Sequence, residues 1–205
     1  MRARLILADD HRLFSEGISR LLEEAYELVG IACDGGELIA KVQQDPPDAV
    51  VLDISMPGMN GFQAARRIHA SHPDIKLIFV SVHRDPSYVA YAFRAGASAY
   101  VSKSALASDL LTAVAEALAG RRYLGKHIPE VDLSEPPVDT TLSDRQKEVL
   151  ALVARGYSAK ATAHALAVSP KTIEFHKSKI MQKLQLHSTA ELIRYAVDMG
   201  LAGPD

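Results

Sequence analysis

Asp9-Asp10, Asp53, Ser81 and Lys103 each come just after a short apolar run. The runs are Leu5-Ile6-Leu7-Ala8, Ala49-Val50-Val51-Leu52, Leu77-Ile78-Phe79-Val80 and Tyr100-Val101. In an open parallel sheet, positions just past the strand ends converge on one crevice, where such folds bind ligands. Three carboxylates, a hydroxyl and an ammonium would therefore share a pocket. Carboxylates only a few ångströms apart oppose each other's ionisation, and a hard divalent cation removes that cost. Mg2+ prefers oxygen ligands and keeps several waters, using one or two carboxylates plus phosphate oxygens. With the carboxylates screened in this way, a phosphoryl group could approach one of them as its acceptor. Lys103 would supply positive charge to a phosphoryl oxygen and Ser81 a hydroxyl donor.

Such a pocket needs parallel strands joined by helices, and the chain up to about residue 119 alternates them in that way. A helix from about Arg12 to Glu24 carries Leu13, Ile18, Leu21 and Leu22 on its apolar side. A second strand lies near Glu27–Cys33, and a second helix near Glu37–Gln44 is stopped by Pro46-Pro47. Gly61 opens a third helix reaching Ser71, Pro86 a fourth ending before Gly96, and Ala105 a fifth ending before Gly120. Proline at helix starts and glycine just past helix ends follow the capping asymmetry. The expectation is a doubly wound sheet of five parallel strands in residues 1–120. Residues 121–141 read as a linker, because Glu135-Pro136-Pro137 resists both helix and sheet.

Residues 142–205 read as four helices. Ser143-Asp144-Arg145-Gln146 forms a capping box ahead of Val149, Leu150 and Val153. Gly156 closes that helix and Ser158 begins a short Ala-rich one. Ser169-Pro170 begins a third, with serine as cap and proline at the first helical position. Ser188 or Thr189 opens a fourth that runs to Gly200. The formal charge of -2 over 205 residues hides a division. The last 64 residues hold 9 basic and 6 acidic residues, a balance of +3, against 14 and 19 before them. The C-terminal part is thus the candidate for a polyanionic partner.

Composition narrows the setting. The chain is 48% hydrophobic and 23% charged, as in soluble globular proteins. No apolar run approaches the roughly 20 residues that span a bilayer. The N-terminus enters a strand without signal-peptide anatomy. The single cysteine, Cys33, allows no internal disulfide and reads as a small buried hydrophobe. A cytoplasmic protein without a membrane partner is expected.

Asp9-Asp10, the stretch Asp53-Ile54-Ser55-Met56-Pro57-Gly58-Met59-Asn60-Gly61, Ser81, and Tyr100 three residues before Lys103 together resemble the receiver domain of bacterial two-component response regulators. The resemblance spans residues 4–119 and implies a flavodoxin-like fold. It makes Asp53 the phosphoacceptor, attacking the phosphohistidine of a sensor histidine kinase. It implies Mg2+ held by Asp10, Asp53 and the backbone carbonyl of Ser55, with Asp9 acting through a water. Ser81 and Tyr100 become the switch pair, the hydroxyl drawn toward the phosphoryl group and the ring turning inward behind it. Val82 stands where many receivers carry a smaller side chain, which implies a slower loss of the phosphoryl group. Ser104 replaces a common proline, so a cis X-Pro bond is unavailable there.

Projecting residues 170–184 at about 100° per residue puts Ile173, Ile180 and Leu184 on one stripe. Lys171, Phe175, Ser178 and Gln182 lie opposite, with Glu174 and Lys179 at the edges. Such a face suits a DNA major groove, where lysines hold phosphates, polar groups meet base edges and an apolar group touches a thymine methyl. Leu142 to Leu150, Gly156 to Lys160, Val168 to His176, Ile180 and Lys183-Leu184 resemble the LuxR-type helix-turn-helix. With the receiver ahead of it, the chain resembles a NarL/FixJ-type response regulator. The resemblance places Glu174, Phe175 and Ser178 toward bases. It places Lys171, Thr172, Lys179 and Lys183 toward phosphates, and His176 against the neighbouring helix. Gln146 stands where the family commonly has glutamate. Ala159, Ala161 and Thr162 replace its common Asn, Glu and Ile, so weaker polar ties and a smaller second helix are expected.

The resulting expectation is a transcriptional regulator, not an enzyme, that pairs as a homodimer on promoter DNA when phosphorylated. One rival is a phosphorylation-independent regulator whose receiver serves only for docking. Another class is an FMN protein or an Asp-nucleophile phosphatase. Asp9-Asp10 would repel the FMN phosphate, and a haloacid-dehalogenase-type phosphatase needs an acid where Ser55 stands.

Overall fold

The computed structural model describes residues 2–131, 142–184, 186–198 and 201. The chain divides into two compact units, Met1–Asp132 and Leu133–Asp205.

In the first unit, apolar runs too short for helices become strands, the central four of the sheet buried on both faces and the outer two only half-buried. They are β1 (Arg4–Ala8), β2 (Glu27–Ala32), β3 (Ala49–Leu52), β4 (Lys76–Ser81), β5 (Ala97–Ser102) and β6 (Tyr123–Leu124). All pair in parallel, in the order β2-β1-β3-β4-β5-β6. The order reverses at β1 and β3, the switch point where doubly wound folds leave a crevice. Helices α1 (Arg12–Glu23), α2 (Gly35–Gln44), α3 (Gly61–Ser71), α4 (Pro86–Arg94) and α5 (Leu106–Leu118) connect the first five strands and follow the last of these. A short 3-10 turn, Lys103–Ala105, precedes α5. Leu5, Leu7, Val51, Ile78, Val80 and Val101 form a core with Ile18 and Leu22 of α1 and Val114 of α5.

Three expectations change. The sheet has six strands rather than five, because Tyr123–Leu124 returns to pair with β5. Two residues carry no legible periodicity, and the pairing is made by main-chain groups. Residues 121–131, read as linker, thus carry this strand, while 132–141 lie outside the described residues. Leu13 is 87% exposed on α1, although its neighbours Ile18 and Leu22 are buried. Cys33 is exposed just past β2 rather than buried.

The second unit contains α6 (Asp144–Ala154), α7 (Ala159–Ala165), α8 (Pro170–Leu184) and α9 (Thr189–Asp198). The expected end of the last helix, at Gly200, lies outside the described residues. Ser143 Oγ accepts the Gln146 N–H, and Gln146 Oε1 accepts the Ser143 N–H at 3.0 Å, completing the capping box. Val149, Leu150, Val153, Ile173, Ile180, Leu184, Leu192 and Tyr195 are buried. The turn between α7 and α8 holds Ala167 at φ 53°, the left-handed region.

Candidate phosphoacceptor site and DNA-facing helix

Asp9 follows β1 and Asp53 follows β3, adjacent strands in the sheet. Both carboxylates are buried. Lys103, at the end of β5, reaches across the crevice and places its ammonium 2.7 Å from Asp9 Oδ2 and 2.7 Å from Asp53 Oδ2. The same ammonium lies 4.4 Å from the centre of the Phe14 ring. Asp53 Oδ1 accepts the Ile54 N–H at 2.7 Å. Burial pushes the Asp53 pKa above the ordinary carboxylate value, against the opposing pull of Lys103. Burial works to lower the Lys103 pKa, but hydrogen bonds to Asp53 and Asp9 outweigh it and raise it.

Asp10 meets the cluster from its more exposed side. His11, which sequence reasoning passed over, donates its N–H to Asp9 Oδ1 at 2.8 Å and places Nδ1 2.8 Å from Asp10 Oδ1. One ligand atom from each of Asp9, Asp10, His11 and Asp53 lies within 4.8 Å of the others. Converging oxygens on an open, partly solvated face match the demand of Mg2+ for oxygen ligands and retained water. Ser55 is half-buried in the loop after Asp53.

Ser81 and Tyr100 converge on His83 rather than on each other. Ser81 Oγ accepts the His83 N–H at 3.1 Å, and Tyr100 Oη donates to the His83 carbonyl at 2.8 Å. Tyr100 has no exposed surface, so its ring is turned inward. The His83 ring stacks on Tyr88 of α4, with centroids 4.1 Å apart and planes 9° off parallel. Val82 is 62% exposed. Ser104 accepts a hydrogen bond from Arg84 at 2.8 Å.

On α8, Ile173, Ile180 and Leu184 face the core, and Phe175 is 59% exposed on the other side. Lys171, Ser178 and Lys179 are exposed. The Ser169 hydroxyl accepts the Thr172 N–H at 3.1 Å and lies 2.8 Å from Thr172 Oγ1. Glu174 pairs with Lys177 at 3.2 Å. Lys183 donates to Gln146 Oε1 at 3.2 Å. His176 is half-buried, edge-on to Phe175 with centroids 5.9 Å apart.

Comparison with known proteins agrees with this geometry. Residues 5–115 match the model of the response regulator receiver domain, and residues 140–196 that of the bacterial regulatory proteins of the luxR family. The chain is a response regulator with a LuxR-type DNA-binding domain. It is 36% identical to the oxygen regulatory protein NreC of Staphylococcus haemolyticus, over 95% of this chain and 96% of that one. It is 30% identical to the response regulator UvrY of Escherichia coli, over 98% and 96%. Among solved structures it resembles RcsB of Salmonella enterica serovar Typhimurium bound to a promoter with the phosphomimetic BeF3-. That match has a TM-score of 0.81 and 26% identity, covering 97% of this chain and 100% of that one. Response regulators of this type are phosphorylation-controlled, DNA-binding transcription regulators. Among the described residues of this one, no helix is long and apolar enough to cross a membrane.

Proposed function

We propose that this response regulator accepts a phosphoryl group on Asp53 from the phosphohistidine of a sensor histidine kinase. What supports this reading is the Lys103 ammonium, 2.7 Å from Asp53 Oδ2 in a crevice shared with two further aspartates. A carboxylate oxygen of Asp53 forms the new O–P bond as the P–N bond of the phosphohistidine breaks, and the leaving imidazole nitrogen keeps its electron pair. Asp10, Asp53 and the Ser55 carbonyl would hold Mg2+, with Asp9 acting through a water. The cation supplies charge screening that lets an anionic donor approach a carboxylate. Lys103 then neutralises a phosphoryl oxygen, and the Ser81 hydroxyl donates to another.

The product of this chemistry is a conformation. As Ser81 turns toward the phosphoryl group, its bond to the His83 amide is exchanged, and Tyr100 is held behind it by the His83 carbonyl. Moving a two-state population from 1:99 to 99:1 takes about 5.5 kcal/mol, within reach of several charge-assisted bonds in a buried site. The active form pairs as a homodimer on promoter DNA. Glu174, Phe175 and Ser178 face base edges, while Lys171, Thr172, Lys179 and Lys183 hold phosphates.

Selection of random double-stranded DNA on the full chain, with and without a small-molecule phosphodonor and Mg2+, tests both domains. The expected result is a phosphodonor-stimulated motif with half-sites about one helical turn apart, and no stimulation in Asp53→Asn. Equal stimulation in Asp53→Asn would overturn the switch. DNA binding with no Mg2+-dependent phosphoryl uptake would establish a phosphorylation-independent regulator.

A further inference from the structure

Asp109 of α5 has no exposed surface and takes no part in the acidic cluster. A buried carboxylate is costly unless hydrogen-bonded and paired, so its partners indicate what its position achieves. Its Oδ2 accepts the main-chain N–H of Lys126 at 2.8 Å, and its Oδ1 lies 4.0 Å from the Lys126 ammonium. It therefore grips the chain immediately after β6. That strand is itself tied to Tyr100. Leu124 is the register partner of Tyr100, and the Gly125 N–H donates to the Tyr100 carbonyl at 2.9 Å. The junction is closely packed. A methyl on Gly125 would stand 3.1 Å from Asp109 Oδ2 and 3.4 Å from both the Tyr100 oxygen and Val101 Cα. Beyond it, the Ile128 N–H closes a turn onto the Gly125 carbonyl at 2.9 Å, and Ile128 is buried.

We infer that Asp109 is a positioning residue that locks residues 123–126 onto Tyr100. β6 then becomes the element that reads the switch strand and passes its state to the chain leading to the DNA-binding domain. The inference rests on the reading of Asp53 as phosphoacceptor and Tyr100 as switch residue. A two-residue strand held by main-chain bonds alone could peel from β5 whenever Tyr100 moved. With Asp109 holding Lys126 from α5, the segment follows β5 and α5 together.

The test uses the full chain. Hydrogen exchange at the Gly125 and Lys126 amides is followed with and without beryllium fluoride and Mg2+. A change of about fivefold on loading is expected, the scale of a local opening shifted by a coupled site. In Asp109→Ala, phosphodonor stimulation of DNA binding should fall about tenfold while phosphoryl uptake stays within about twofold. Asp109→Asn, which keeps an acceptor oxygen for the Lys126 N–H, should restore most of the stimulation. In an Asp109→Ala protein that still loads, a merely structural role would lower uptake and stimulation together. Unchanged exchange in the loaded wild type overturns the inference, as does full stimulation in Asp109→Ala. Should Asp109→Ala not load, the wild-type exchange result decides alone. Failure of the wild type itself to load would instead overturn the phosphoacceptor reading.

Discussion

Gly61 lies so close to the main chain of Asp53 that a methyl on its Cα would stand 2.0 Å from the Asp53 carbonyl oxygen and 2.9 Å from its carbonyl carbon. The Gly61 N–H also bonds the Ile54 carbonyl at 2.9 Å, so α3 cannot retreat without losing that bond. The start of α3 is thereby the floor against which Asp53, the proposed phosphoacceptor, is set. In Gly61→Ala, backbone must move, at an expected cost of about 2–3 kcal/mol. Displacing Asp53 should also slow phosphoryl uptake by roughly a hundredfold. Urea unfolding of the receiver and uptake from a small-molecule phosphodonor measure the two effects, and near-wild-type uptake would contradict the argument.

The buried Asp53 carboxyl makes metal-free stability depend on pH. Its folded pKa lies above the ordinary 3.8, chiefly through burial. Its contribution to stability is therefore full below about pH 4 and is lost as pH rises through the folded pKa. Lys103 has its pKa raised above 10.5, so its contribution persists across this range and is lost only in strong alkali. Asp53→Asn cannot ionise and should be more stable than wild type at pH 7, by on the order of 1 kcal/mol. The difference should shrink as pH falls toward about 4. Urea midpoints against pH, with a chelator present, test this; a gap independent of pH would refute it.

How much of this site could be read beforehand follows from where its information resides. Asp9, Asp53 and Lys103 meet because parallel strands end side by side, and apolar runs announce strand ends. The hydrogen bonds of His83 to Ser81 and Tyr100, and one of those of His11 to Asp9, are made by main-chain N–H and C=O groups, whose directions depend on loop conformation rather than residue type. β6 escaped for the same reason, since two residues show no alternation and Gly125 contributes only its backbone. Leu13 and Cys33 misled because an apolar type near a strand or on a helix states a preference, not a location. On α8, the projection separated buried Ile173, Ile180 and Leu184 from exposed Phe175, because one helix has one period. That Lys183 would reach Gln146 of another helix was not contained in that period.

Val82 is exposed immediately after Ser81, whose hydroxyl is assigned to the phosphoryl group. If Asp53 is phosphorylated as proposed, a branched side chain there would obstruct the water that hydrolyses the acyl phosphate. Val82→Ala should shorten the phosphoryl half-life by roughly two- to fivefold, a barrier change of no more than about 1 kcal/mol. Loss of label from the isolated phosphoprotein measures it. An unchanged or longer half-life would exclude Val82 as the obstruction.

Thr162 on α7 is fully buried, and its hydroxyl has no hydrogen-bond partner among the described residues. An unpaired buried hydroxyl costs about 1–3 kcal/mol of desolvation. Thr162→Val keeps the shape and removes the polar atom, so the DNA-binding unit should gain about 1 kcal/mol. Thermal unfolding of the full chain, followed by a probe in that unit, should show a higher midpoint. A lower one would mean that the hydroxyl is satisfied in solution.

Ala167 poses the reverse of the problem at Gly61. There a missing Cβ makes room for a neighbour; here a Cβ is present where the backbone turns left-handed, at φ 53°. The turn is required, because it ends α7 and returns the Ala167 N–H to the His164 carbonyl at 3.2 Å before α8 begins. For an L-residue other than glycine this conformation costs roughly 1–2 kcal/mol. Glycine removes that strain but loses more conformational entropy on folding, roughly 0.5–1 kcal/mol. The two do not cancel, and Ala167→Gly should stabilise the unit by about 0.5 kcal/mol. Because the turn sets the path between α7 and α8, unphosphorylated DNA binding should stay within about twofold of wild type. A loss of both stability and binding would show that the Ala167 methyl packs against a neighbour whose contribution exceeds the strain.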